Sequence, residues 1–154
     1  MQRDYILRLI EQVAQLLARA IRQRESTSPQ ESLQSVMAGC ERLFGMEAIR
    51  LFQFTPEQHV AMLVEGEDED TAFQKILIYA ALNEEAGRCY HQLGKSTAAR
   101  NSFVNALRLV LKARQLFPDL TPPAFAPKAE ALLSRLADQP LDSDTAALLA
   151  STAK

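Results

Sequence analysis

Two long segments with helical periodicity meet at a single glycine, and this junction constrains the fold more than any other feature. The spacing of apolar residues predicts one helix from about Thr71 to Leu93 and another from about Ser96 to Phe117. Gly94 lies between them, where a left-handed C-terminal cap is expected, and Ser96 is placed to cap the second helix. Because so short a turn forces the two helices to run antiparallel, the sequence predicts an αα-hairpin over 71–117.

The N-terminal segment carries a wide apolar stripe. Apolar residues recur at spacings of three and four and predict a helix from Arg3 to Arg24, with the stripe formed by Ile6, Leu9, Ile10, Val13, Leu16, Leu17 and Ile21. We expect this helix to pack on the body of its own chain, and a homodimer through the rest of the stripe remains open. Since Asp4 and Glu11 dilute its positive charge, we expect no membrane binding.

Cap signals divide the rest of the chain into further helices. Ser28-Pro29 predicts a helix that ends at Gly45, and Thr55-Pro56 with Gln58 forms a predicted capping box. The stretch "MEAIRLFQF" between them is predicted to form a short helix, with a strand as the alternative. After the proline-rich connector "PDLTPPAFAP", helices are predicted over about 127–137 and about 142–149.

The predicted fold class is all-α, a compact stack of antiparallel helical hairpins. We expect a single helical domain over 1–138 and a short C-terminal helix or tail over 139–154. The formal net charge of −2 provides no field to attract nucleic acid or an anionic membrane, and we expect no membrane partner. Nucleic-acid binding through the arginines of the first helix and the polar stripe that ends at Lys112 is kept only as a third, less favoured option. The apolar residues at the N-terminus are interrupted by polar ones, so no secretory signal is predicted and we expect a cytoplasmic protein.

Residue types that carry chemistry cluster at Cys89-Tyr90-His91. Side chains two positions apart on a helix point about 200° apart, so Cys89 and His91 do not form a nucleophile–base pair. Cys40 and Cys89 are too few for a disulfide framework, and we expect two buried, slowly reacting thiols.

The sequence also lacks recognisable motifs for binding metals and cofactors. The acidic stretch "EGEDED" lacks the distal glutamate of a calcium loop, and its acids fit the N-terminus of the next helix. The sequence has no glycine-rich phosphate loop. We therefore predict no catalytic residue, no metal site and no cofactor.

The hairpin resembles the tetratricopeptide repeat family. Small and aromatic residues fall at the spacings of that pattern at six positions, namely Gly87, Tyr90, Gly94, Ala99, Phe103 and Ala106. Gly87 and Ala99 are small enough for the two helices to approach closely. The chain departs from the pattern at Asn83, where a large aromatic is usual, and at Leu111, where a proline is usual. The match covers one repeat, so neighbouring helices must cover its faces.

A second resemblance lies at the N-terminus. The segment "RDYILRLIEQ" is similar to the opening of an uncharacterised family of small bacterial helical proteins, a domain of unknown function. This resemblance implies no activity.

The repeat resemblance implies a partner-binding face. Glu84, Arg88 and His91 share one face of the first hairpin helix, which in such repeats lines the groove that contacts peptides. The alternative is an exposed Glu84–Arg88 ion pair with His91 in solvent. We therefore expect a non-enzymatic protein–protein interaction or scaffold module. The alternative function is a small helical domain that binds a small ligand in an internal pocket or has an unrecognised enzymatic activity.

Overall fold

The computed structural model describes residues 2–26 and 28–152, with side chains from Asp4 onward, and these residues form eight α-helices and no β-strand. The all-α prediction is confirmed. The helices are α1 (Gln2–Ser26), α2 (Pro29–Phe44), α3 (Ala48–Leu51), α4 (Pro56–Val64), α5 (Glu69–Gln92), α6 (Ser96–Leu116), α7 (Ala129–Arg135) and α8 (Ser143–Thr152).

Side-chain caps start the helices largely where the sequence predicted. The Ser28 hydroxyl accepts the Glu31 N–H at 3.0 Å, and the capping box of Thr55 and Gln58 is formed in both directions. Asp68 accepts the Thr71 N–H at 2.7 Å, so α5 begins two residues earlier than predicted. The predicted Ser96 cap is wrong. Lys95 occupies that position without a side-chain bond, and Ser96 is the first helical residue.

Helix α5 lies at the centre of the fold. Every residue from Ile76 to Leu82 is buried, so this part of the helix is covered on all sides. α1 and α2 pack against α5 on one side. α6 makes the most extensive contact with α5, and α4 covers a further part of that helix. The N-terminal helix therefore packs on its own chain as predicted, burying Ile10 and Val13.

The hairpin turn and its closest contact follow the sequence prediction. Gly94 has φ +73°, the left-handed conformation that ends α5 and allows the reversal into α6. Gly87 faces Phe103 across the hairpin, and a Cβ added at Gly87 would lie 2.6 Å from the Phe103 ring. The two helices can approach this closely because position 87 has no side chain.

His59 of α4 is a buried polar side chain. One ring nitrogen, Nε2, lies 2.7 Å from the Leu51 carbonyl oxygen, so it must carry the proton and donate. The other, Nδ1, lies 3.1 Å from the Tyr79 hydroxyl and accepts from it. Because both nitrogens are bonded, the neutral ring can be buried, and it joins the end of α3 to α4 and α5.

We predict that Gly87→Ala destabilises the protein although alanine is the better helix former. The new methyl group would overlap a buried ring, and such overpacking should lower the free energy of unfolding by about 1–3 kcal/mol. Gly39→Ala is the matched control, because a Cβ there would lie no closer than 3.0 Å to the Leu82 side chain and 3.8 Å from Val13. Guanidinium unfolding of both variants tests this.

Replacing the ring should relieve the overlap. When Phe103 is replaced by leucine, Gly87→Ala should lower the free energy of unfolding by less than it does when Phe103 is present. The double variant Gly87→Ala/Phe103→Leu measures this difference. An equal loss of stability in Gly87→Ala and Gly39→Ala, or no loss in either, would contradict the close-contact argument.

Candidate functional site

The predicted face of α5 lies in the last turns of that helix, with Glu84 and Arg88 half-buried and His91 exposed. Burial raises the pKa of the Glu84 carboxyl above its usual range, and the guanidinium groups of Arg88 and Arg135 oppose that shift. Glu84 and Arg88 are not in ion-pair contact in the structure. The simple surface ion pair considered from the sequence is therefore wrong.

Arg135, at the end of α7, joins this face although the sequence analysis did not select it. Its guanidinium carbon lies 5.0 Å from the centre of the Phe103 ring, which places it beside the Gly87 contact. Burial lowers the pKa of Arg135, and repulsion from Arg88 lowers it further. No local sequence signal identifies Arg135, because its position depends on how α7 folds back onto α6.

Two arginines thus lie near each other with little compensating charge. Among the described residues, neither Arg88 nor Arg135 has a carboxylate oxygen within 4.0 Å of its side-chain nitrogens. The nearby Glu84 interacts with both at longer range. This region of the surface therefore favours an added negative charge.

A cleft of about 360 Å³ extends from Arg135 to the hairpin turn; we call it the basic cleft. Its lining is rich in groups that donate hydrogen bonds and has one acidic residue, and it includes His91, Ser96, Thr97, Arg100, Asn101, Arg135 and Asp138. Arg100 is held in place by Asp138 at 3.3 Å and by the carbonyl oxygens of Gln139 and Pro140. The basic cleft contains His91 of the predicted face, whereas Glu84 and Arg88 do not line it.

A buried polar network lies next to this face and was not predicted. Arg24 donates to the Glu85 carboxylate at 2.5 Å, and the two side chains are 10% and 3% exposed. The Ser32 hydroxyl donates to the same carboxylate oxygen at 3.3 Å, and the Cys89 thiol donates to Ser32 at 3.1 Å. The network joins α1, α2 and α5 through one carboxylate, so its evident role is to hold the three helices together.

Cys89 has no access to a substrate in this arrangement. Its side chain is fully buried, and burial raises the pKa of its thiol to about 11. Burial raises the pKa of Cys40 to about 12, and both cysteines are free. Arg24 lies close enough to Cys89 to oppose this rise in the thiol pKa slightly.

Searches for a metal site and for a membrane span gave no candidate in the described residues. No three His, Cys, Asp or Glu side chains among them are grouped as metal ligands would be. None of the described helices combines the length and the apolar character needed to cross a bilayer.

The chain was compared with models of known protein families, with curated proteins and with solved structures. None of them matches.

We predict that Arg24→Met lowers the free energy of unfolding by about 3 kcal/mol, because it leaves the buried Glu85 carboxylate without its cation. The double variant Arg24→Met/Glu85→Gln should recover most of this loss, since the amide oxygen still accepts from Ser32 and no charge is left buried. Arg114→Met, at an exposed site, is the control. Chemical unfolding at neutral pH measures all three. A double variant less stable than Arg24→Met would contradict this account of the network.

We also predict that both thiols react slowly in the native protein. With pKa values of about 11 and 12, their thiolate fraction at pH 8 is small, and an aromatic disulfide reagent should label them roughly a hundredfold more slowly than in guanidinium. Cys40→Ala and Cys89→Ala assign the two reactions. Rapid labelling of Cys89 in folded protein would show that it is accessible and would support a catalytic role.

Proposed function

We propose that this protein is a non-enzymatic interaction module whose basic cleft binds an acidic segment of a partner protein. One observation carries the proposal: Arg135 lines the cleft, Arg88 is near enough for its charge to lower the pKa of Arg135, and neither has a carboxylate in contact among the described residues.

The chemistry of the cleft favours a carboxylate over other ligands. A guanidinium group binds a carboxylate through two parallel hydrogen bonds, and such charge-assisted bonds are stronger than neutral ones. A bound carboxylate would also reduce the repulsion between Arg88 and Arg135. His91, Ser96 and Thr97 supply further donors at the exposed end. The volume of the basic cleft, about 360 Å³, accommodates a short segment of chain rather than a folded surface.

The resemblance to tetratricopeptide repeats supports the same function. We propose that α5 and α6 form a tetratricopeptide-like hairpin, supported by the Gly87–Phe103 contact and the left-handed Gly94. The proposed binding residues Glu84, Arg88 and His91 then belong to the peptide-contacting helix of that hairpin. We also propose a cytoplasmic location, supported by two free, buried thiols.

The absence of an enzymatic role is part of the proposal. The residue type best suited to nucleophilic catalysis, Cys89, is buried in a hydrogen-bonded network, and its carboxylate neighbour Glu85 is paired with Arg24. This arrangement supports a structural role for both residues.

We predict that a fluorescein-labelled hexapeptide containing four glutamates binds the protein, as measured by anisotropy in low salt. Arg88→Glu and Arg135→Glu should each weaken binding at least roughly tenfold, or about 1.4 kcal/mol, because each reverses a charge at the site. Arg114→Glu is the matched control, since it makes the same charge change at an exposed position of α6 outside the cleft.

Two further results decide between ligands. Inorganic phosphate at millimolar concentration should displace the peptide only weakly if the cleft recognises a peptide segment. Equal weakening by Arg88→Glu and Arg114→Glu would indicate non-specific attraction and would contradict the proposal. Strong, saturable phosphate binding that excludes the peptide would show that the site takes a small anion instead.

A further inference from the structure

A second surface lies at the other end of α6, where α4, α6 and α8 enclose an open groove of about 630 Å³; we call it the apolar groove. Aliphatic side chains form most of its lining, including Val60, Val64, Leu109, Leu116 and Leu148. Leu116 remains 41% exposed there, one of the largest apolar side chains that the described fold leaves uncovered. Such a surface is typical of a binding site.

The length of the groove matches a short helix. Along α6 its lining runs from Arg108 to Leu116, which are about two turns or roughly 12 Å apart. A helix that docks through apolar residues at i, i+3, i+4 and i+7 needs a similar length, roughly 10.5 Å. The groove can therefore accept the complete contact face of a two-turn helix.

Helix α8 shows that α6 accepts a partner of this kind. α8 packs on α6, and the residues of α8 that are not exposed have the same i, i+3, i+4 and i+7 spacing, namely Thr145, Leu148, Leu149 and Thr152. Thr145 is fully buried, and both leucines pack against the core. The apolar groove lies along α8, so another short amphipathic helix would extend a packing arrangement that the fold already contains.

The groove lining carries two acidic residues, Glu57 and Asp144, and two basic ones, Arg108 and Lys112. Arg108 forms ion pairs with Glu57 and with Asp142, the latter at 3.7 Å, so its charge is compensated. Lys112 is half-buried and donates to the Gln115 side-chain oxygen at 3.0 Å. Within the part of the chain that the structure describes, Lys112 has no carboxylate in ion-pair contact. A carboxylate on the ligand would complement it.

We propose that the apolar groove binds an amphipathic helix of a partner protein, with apolar residues at i, i+3, i+4 and i+7 and an Asp or Glu beside Lys112. This surface is separate from the basic cleft and uses different residues of α6. The protein would then contact two segments, an acidic one at the cleft and a helical one at the groove.

The test is a display selection with the intact protein. The library consists of 16-residue peptides on a helical Ala/Glu/Lys frame, randomised at the four contact positions and at one flanking position. Selected peptides should be apolar at the four positions and acidic at the flanking one. Failure to enrich this pattern would overturn the proposal.

Variants locate the binding site. Ala61→Trp and Ala147→Trp place a large side chain in the groove from exposed positions, so the fold should be kept, and each should weaken peptide binding at least roughly tenfold. Ala146→Trp is the matched control, since Ala146 is exposed on α8 outside the groove lining. Equal affinity for the Ala61→Trp variant and the unmodified protein would overturn the proposal.

A charge exchange tests the role of Lys112. Lys112→Glu should weaken binding of the selected peptide about tenfold. Replacing the acidic residue of the peptide with lysine should restore binding to this variant. If decanoate alone shifts the methyl resonances of Leu109 and Leu148 and competes out every peptide, the groove takes a small amphiphile and the proposal is wrong. Ala61→Trp should leave the glutamate hexapeptide bound at the basic cleft, so failure of one site is distinguishable from failure of the other.

Discussion

The enclosure of α5 is the constraint on which the rest of the structure depends. A helix whose residues from Ile76 to Leu82 are all buried has no solvent-facing side, so other helices must cover it on every side. α1, α2, α4 and α6 do so, and the wide stripe of α1 and the short α4 are explained by this requirement. Even a histidine takes part in the covering layer, because His59 finds a carbonyl and a hydroxyl for its two nitrogens.

The second half of the same helix has a different role. Adjacent residues on a helix point about 100° apart, and this rotation separates structural residues from surface residues within a single turn. Glu85 points inward to Arg24 and Ser32, whereas its neighbour Glu84 is half-buried near Arg88 and Arg135. Cys89 belongs to the inward set and His91 to the outward set. One helix therefore anchors the fold and also presents the proposed binding face.

Helix α6 separates the two proposed binding surfaces. Its first turns line the basic cleft, where hydrogen-bond donors and arginines predominate, and its last turns line the apolar groove. Arg108, which lines the groove, forms ion pairs with α4 and with the residue that precedes α8. The two surfaces differ in chemistry and lie at different ends of α6, so the protein could make two distinct contacts. Two such contacts would be consistent with the proposed interaction or scaffold module.

Much of the fold could be predicted from the sequence, because its signals are local. Helix periodicity, the caps at Ser28 and Thr55, the turn at Gly94 and the small residue at Gly87 all act within a few residues or across one short hairpin. The candidate site was predicted only in part, because the sequence shows that Glu84, Arg88 and His91 share a helix face. It does not show that Arg135 approaches Arg88 or that Arg24 pairs with Glu85, 61 residues away. Both of these depend on how distant helices pack. Burial and charge compensation are properties of that packing, and the tertiary structure alone decided them.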